Sequence, residues 1–307
     1  MEFLLLFVGL AILLVSGDLL VRGGVGLANN FKISRLVIGV TVVSFGTSAP
    51  ELIVSVNAAI SGHPEISIGN VIGSNIANIA LILGITAVLL PIPVNRTSIV
   101  VDWPVMMFAS LLFWWFANTS GILQSFEGII FVVLLIAYII YSIKKSKEPE
   151  FKDETKKSYS LLLSIGFILA SSVGLYFGSD LLVNNAVTIA TNLDVSEHII
   201  SVTIIAFGTS VPELATSIIA VYKKETDISI GNIIGSNIFN LFAILGITSI
   251  IKEIPVSINV LNNDIFWMLG IAAVLFLFII PPKRGLLKRW KGACLLLIYF
   301  VYIYLLF

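Results

Sequence analysis

The sequence predicts an all-α integral membrane protein: ten transmembrane helices forming two inverted five-helix repeats, with helices two and seven broken. Three observations predict it. The chain is too apolar and too poor in charge for a water-facing surface. Its basic residues fall almost wholly on one side of a ten-span arrangement. Its two halves repeat each other at one constant offset.

Of 307 residues, 58% are hydrophobic and 12% charged, where a soluble domain has about 45–50% and about 25%. Lipid is therefore the expected solvent for most of the exterior. The net charge is zero, which implies no nucleic-acid or acidic partner. A single cysteine, Cys294, excludes an internal disulfide and a thiolate cluster. The first apolar segment lacks an A-x-A-type site, so no cleavable signal is expected.

A spanning helix needs about 20 mostly apolar residues. Ten segments qualify: 3–21, 36–60, 66–90, 99–117, 122–143, 160–183, 197–221, 228–251, 262–281 and 292–307. They divide the chain into a first five-helix repeat (1–143), a cytoplasmic linker rich in Lys and Glu (144–159) and a second, inverted five-helix repeat (160–307). Lys and Arg favour the cytoplasmic side of a membrane. Seventeen of the eighteen follow odd-numbered spans, and only Lys252 lies on the other side. This predicts a multi-pass protein of the cell membrane with both termini outside.

The duplication is explicit. Residues 41–52 (TVVSFGTSAPEL) and 203–214 (TIIAFGTSVPEL) are identical at 8 of 12 positions. Residues 67–78 (SIGNVIGSNIAN) and 229–240 (SIGNIIGSNIFN) agree at 10 of 12. Both pairs are separated by 162 residues, as are Asp18 and Asp180, and Pro93 and Pro255. Five spans per copy is an odd number, so the second copy enters the membrane the other way up. Inverted repeats characterise many secondary transporters, whose sites lie near the midplane on interrupted helices.

The repeated segments carry the chemistry. Pro50 lacks an N–H and crowds the carbonyl four residues earlier, so the Gly46 carbonyl loses its helical partner. An unpaired carbonyl in hydrocarbon costs several kcal/mol, roughly, unless something satisfies it, and a cation can. Thr47 and Ser48 add hydroxyls, and Glu51 adds a carboxylate. Gly208, Thr209, Ser210, Pro212 and Glu213 repeat the arrangement. A carboxylate at the bilayer centre costs roughly 2.5–3.5 kcal/mol or more. No Lys or Arg lies within spans two, three, seven or eight to pair with either glutamate, so the counter-charge is expected to be mobile. Calcium takes 6–8 oxygen ligands, carboxylates and carbonyls among them, and sodium also prefers oxygen. Ser74 and Asn78, and Ser236 and Asn240, share helical faces in spans three and eight. Asn70, Asn75, Asn232 and Asn237 add polar character. Gly69, Gly73, Gly231 and Gly235 form a small-xxx-small pattern for close packing against the broken helices. Asp18 and Arg22 can pair on one helix, but Asp180 has Asn184 at the matching position. His63 and His198 read as loop histidines.

At the two GTS-x-PEL and two SIGN-x-IGSN segments the sequence resembles the calcium/cation antiporter superfamily, most closely prokaryotic sodium/calcium exchangers. The likeness spans nearly the whole chain. It implies a diamond of four ion positions between spans two, three, seven and eight. Glu51, Glu213 and the carbonyls of Thr47 and Thr209 would bind calcium. Sodium would use these groups with Ser48, Ser74, Ser210 and Ser236. The carbonyls of Ser44 and Ala206 would complete two outer sodium positions, and Asn78 and Asn240 would flank the middle one. Spans one and six would slide as the access gate. Potassium-dependent relatives carry Asp where this chain has Asn240, which argues against potassium transport.

The expected function is electrogenic exchange of sodium for calcium by alternating access. Proton-coupled cation exchange within the superfamily is the alternative; a cation channel or an intramembrane hydrolase is a remote one. No HExxH or GxSxG occurs, so no enzyme is expected. Cofactors are none, the partners are the transported cations and the lipid bilayer, and the chain is expected to work as a monomer.

Overall fold

The computed structural model describes residues 1–146, 159–193, 208–280 and 285–306. Helix α1 (Glu2–Phe31) opens the chain. The second segment is a bent pair, α2 (Arg35–Thr47) and α3 (Ala49–Ile60), whose axes differ by 46°. Helices α4 (Glu65–Leu89), α5 (Ser98–Ser120) and α6 (Ser125–Lys145) complete the first half. The second half holds α7 (Leu161–Asn192), α8 (Val211–Tyr222), α9 (Thr226–Ile251), α10 (Val260–Ile279) and α11 (Arg289–Leu306). Seven of these helices are long and apolar enough to cross a membrane, and the bent pair makes an eighth.

The layering follows the repeats. In α9, 89% of the apolar window is buried, and in α4 78%, whereas the windows of α1, α5, α6, α7 and α10 are 33% buried or less. The two SIGN-x-IGSN helices are thus the core. The peripheral helices turn Phe3, Leu4, Phe7, Leu162, Leu169 and Leu277 outward, an exposure that suits lipid rather than water.

Helix α1 continues to Phe31 rather than ending near residue 21, and α7 reaches Asn192 rather than 183. Close packing explains both. A Cβ at Gly9 would lie 2.8 Å from the Leu182 nitrogen, and one at Gly23 2.9 Å from the Ser164 carbonyl oxygen. The glycines let the two backbones touch along their length, which offsets the low helix propensity of glycine. Contacts 9-to-182 and 23-to-164 also mean that α1 and α7 run antiparallel. Arg22 consequently sits inside α1. There it reaches Asp18 at 2.5 Å, and Lys223 pairs with the same carboxylate. Arg35 meets Glu225 at 2.6 Å, so the turn after α8 is tied to both α1 and α2.

Gly231 and Gly235 of α9 pack against the Leu36 carbonyl and Val40 of α2. Gly69 and Gly73 meet nothing within 4 Å among the described residues. The segment that matches α2 in the second repeat, around 201–206, lies outside them, as do His198 and most of the 144–159 linker.

Two short antiparallel ribbons join the halves. β1 (Ile92–Val94) is paired with β4 (Gly285–Leu287), Pro93 opposite Leu286; β2 (Ile122–Leu123) is paired with β3 (Ile254–Pro255), Leu123 opposite Ile254.

Candidate functional site

The break in the first copy falls at Ser48, and in the second copy α8 begins directly after the matching Ser210. Ser48 has φ −85° and ψ 7°, and Ser210 has φ −91° and ψ 2°. Pro50 and Pro212 sit in the first turn of α3 and α8, where a missing N–H costs little because that donor has no helical acceptor. Glu51 and Glu213 occupy the same first turns. Each carboxylate therefore lies at the positive end of a half-helix dipole, which partly offsets its burial. In the second copy the Gly208 carbonyl accepts a 2.7 Å bond from Ser179.

The two copies meet at the centre. Ser48 Oγ donates to Glu213 Oε1 at 3.0 Å, and Ser236 Oγ reaches the same oxygen at 3.5 Å. Thr47 Oγ1 donates to Asn232 Oδ1 at 3.1 Å and stands 3.4 Å from Ser236 Oγ. Asn70 Nδ2 donates to the Glu51 carbonyl at 3.2 Å and to Ser55 Oγ at 3.0 Å, while Asn232 Nδ2 donates to Ser217 Oγ at 3.3 Å. The residues in these two bridges correspond at the offset of 162.

A crossed amide network lies between α4 and α9. Asn78 Nδ2 donates to Asn237 Oδ1 at 3.3 Å, and Asn240 Nδ2 donates to Asn75 Oδ1 at 3.0 Å. Asn75 and Asn237 send their own Nδ2 atoms to Met268 and Met106 sulfurs at 3.6 Å. These bonds use the donor of each central amide and leave its carbonyl oxygen free. Among the described residues Asn78 Oδ1 and Asn240 Oδ1 have no hydrogen-bond partner, nor do either oxygen of Glu51, Glu213 Oε2, Ser74 Oγ or Ser210 Oγ. A buried polar atom without a partner is costly, and with Ser229 Oγ the repeated segments hold eight such oxygens, too many for scattered packing defects. Neither glutamate joins an ion pair among the described residues. No group of three or more His, Cys, Asp or Glu exists among the described residues. The set is an oxygen cage with two charges, suited to hard cations and unsuited to soft ones.

A family model for sodium/calcium exchanger proteins matches residues 1–144 and 163–307. The chain belongs to that family. CaxA of Alkalimonas amylolytica is 37% identical, over 98% of this chain and 97% of its own. The sodium/calcium exchanger MaX1 of Methanosarcina acetivorans is 30% identical, over 100% and 98%. A solved structure of the sodium-calcium exchanger NCX_Mj superposes with a TM-score of 0.84 at 31% identity, covering 100% of this chain and 99% of that one. As a member of this exchanger family the protein is a multi-pass cation/calcium antiporter and not an enzyme.

Of the expected site residues, hydrogen-bonding distances bring Thr47, Ser48, Glu213 and Ser236 together, and most of the others are buried. Ser44, Thr47, Ser48, Glu51, Ser74, Asn78, Ser210, Glu213, Ser236 and Asn240 are each 4% exposed or less, and Thr209 is half-buried. Ala206 lies outside the described residues. The Ser44 carbonyl, expected at an outer sodium position, here accepts the Ser48 N–H at 2.9 Å and the Thr47 hydroxyl at 3.3 Å. An ion at that position would compete with both bonds. The structure adds Asn75, Asn237 and Asn232, which hold site residues in place. Their signal was available, since Met106 and Met268 share the offset of 162.

Proposed function

We propose that this protein exchanges sodium for calcium across the cell membrane by alternating access between two inverted five-helix repeats. The observation that carries the reading is the set of partnerless oxygens on Glu51, Glu213, Asn78, Asn240, Ser74 and Ser210, drawn from both repeats around two buried charges. Calcium is held by Glu51 and Glu213 with the carbonyls of Thr47 and Thr209. Sodium uses these with Ser48, Ser74, Ser210 and Ser236, the carbonyls of Ser44 and Ala206 serve the outer sodium positions, and Asn78 and Asn240 flank the middle one. With an amide at Asn240, potassium is not a co-substrate. The deciding experiment is calcium uptake into proteoliposomes under an outward sodium gradient, and separately under an outward proton gradient, with and without potassium. Sodium-driven, potassium-independent uptake is expected; uptake driven only by protons, or needing potassium, would reject the reading.

Two features support the ten-span, inverted arrangement. The first spans of the two repeats, α1 and α7, run antiparallel, as inversion requires. The ribbons also agree in parity. In a ten-span chain with outside termini, β1 and β4 both fall inside, and β2 and β3 both outside, so each ribbon joins loops on one face. Cysteines at Gly62 or Asp194, in a Cys294→Ser background, should react with a membrane-impermeant thiol reagent in intact cells, and one at Lys152 should not. Labelling at Lys152 would overturn the topology.

Asn75 and Asn237 are positioning residues in this reading. Losing a group that orients a ligand typically costs 10–100-fold in metal affinity. Because the amides they orient flank the middle sodium position, Asn75→Ala or Asn237→Ala should therefore raise the sodium concentration for half-maximal exchange about tenfold or more, while the purified protein stays monodisperse. Wild-type half-saturation in both variants would exclude this role.

A further inference from the structure

A second polar cluster lies away from the central cage, between the first turn of α5 and the last third of α6. Asp102 is 2% exposed, and its Oδ1 accepts the Tyr138 hydroxyl at 2.8 Å. Its other oxygen, Oδ2, has no hydrogen-bond partner among the described residues. Ser98 stands one helical turn before Asp102, and Ser142 one turn after Tyr138, each on the same helical face as its neighbour. Both serines are buried, and neither hydroxyl has a hydrogen-bond partner among the described residues. Asp102 joins no ion pair among the described residues. A buried carboxylate in a membrane helix with no protein counter-charge marks a functional position by default. The turn from Ser98 to Asp102 is also π-helical, a geometry found frequently at functional sites.

Comparison of the repeats shows that the fold does not need this cluster. The matching turn in α10, Val260–Asp264, is again π-helical and again ends in Asp. Yet the positions matching Ser98, Tyr138 and Ser142 hold Val260, Phe300 and Tyr304, and Tyr304 faces outward. Asp264 is only partly buried. A buried carboxylate, the phenol bonded to it and two buried serines one turn from them thus occur together in the first repeat alone.

We propose that Asp102, Ser98 and Ser142 form a separate binding site for one hard monovalent cation, for which sodium is the probe, with Tyr138 fixing the carboxylate. One negative charge is neutralised by one monovalent ion, whereas calcium would leave an excess positive charge in a low-dielectric setting. Hydroxyl and carboxylate oxygens are the ligands such an ion prefers. This site is independent of the sodium/calcium reading of the central cage.

The test uses full-length Glu51→Gln/Glu213→Gln protein, so that the central carboxylates do not contribute. Its thermal unfolding is followed while sodium chloride replaces choline chloride at constant ionic strength. A saturable, sodium-specific rise in Tm is expected. Adding Asp102→Asn should abolish that rise, and adding Ser98→Ala/Ser142→Ala should raise the sodium concentration at its midpoint about tenfold. No sodium-specific rise, or a rise that survives Asp102→Asn, would overturn the proposal. A rise produced by acid and not by sodium would make Asp102 a proton site and would overturn it equally. If the Asp102→Asn protein does not fold, the serine variant decides: an unchanged sodium midpoint refutes the site.

Discussion

Replacing either Glu51 or Glu213 by glutamine is expected to abolish calcium transport while leaving the protein folded and inserted. Both carboxylates are fully buried, and neither has a cationic partner among the described residues. In the proposed cage they supply the whole charge complement of the ion. Two unit charges about 4 Å apart interact by about 4 kcal/mol at an effective dielectric constant of about 20, which is about a thousandfold in affinity. Gln keeps the volume and one acceptor oxygen, so the packing of α3 and α8 survives. It also removes a charge that is expensive to bury, so the thermal stability of the ion-free variant should equal or exceed that of wild type. Radioactive calcium uptake into proteoliposomes, with Tm of the same preparations, checks both halves. Flux above about a tenth of wild type in either folded variant would remove that glutamate from the site.

The residues that dominate this prediction were legible from sequence because three signals coincide on them. Glu51 and Glu213 are acids in apolar segments, each follows a helix-breaking proline, and each has a copy 162 residues away. Local rules sufficed to foresee the break in the first copy, which the structure puts at Ser48, two residues before Pro50; the segment before Ser210 lies outside the described residues. Contacts across the repeat interface were not legible. Asn75 and Asn237 read only as polar residues, because the amides they orient, Asn240 and Asn78, belong to the other half of the chain. Asp18 and Arg22 announced themselves by spacing, but Lys223, which pairs with the same carboxylate, is distant in sequence and has no motif around it. Helix ends failed for a related reason. Gly23 and Gly26 pack closely against the start of α7, and that contact, absent from local sequence, is what allows α1 to continue past residue 21. Asp102 had no signal beyond being an acid in an apolar run; Tyr138 and the two serines become its neighbours only when α5 and α6 fold together.

Making the interior of the proteoliposomes positive is expected to accelerate sodium-driven calcium uptake, and this result separates sodium coupling from proton coupling. The central cage contributes two negative charges, from Glu51 and Glu213. Loaded with one Ca²⁺ it is neutral. Under proton coupling, protonating both glutamates also makes it neutral, so exchange of one calcium for two protons moves no net charge and ignores voltage. The family resemblance implies three sodium ions per calcium. The sodium-loaded cage then carries one net positive charge, and each cycle moves that charge across the membrane. Moving one charge through 100 mV is worth about 2.3 kcal/mol, enough for a severalfold change in flux if the charge-moving step limits the rate. With sodium loaded inside and calcium outside, a positive interior drives the sodium-loaded form outward and raises uptake, while a negative interior slows it. The potential is set with a potassium ionophore and read with a voltage-sensitive dye, in liposomes that differ only in their potassium gradient. Uptake indifferent to an imposed potential of either sign, yet responsive to a pH gradient, would transfer the assignment to electroneutral proton exchange. The Glu51 and Glu213 charges would then serve as the proton carriers.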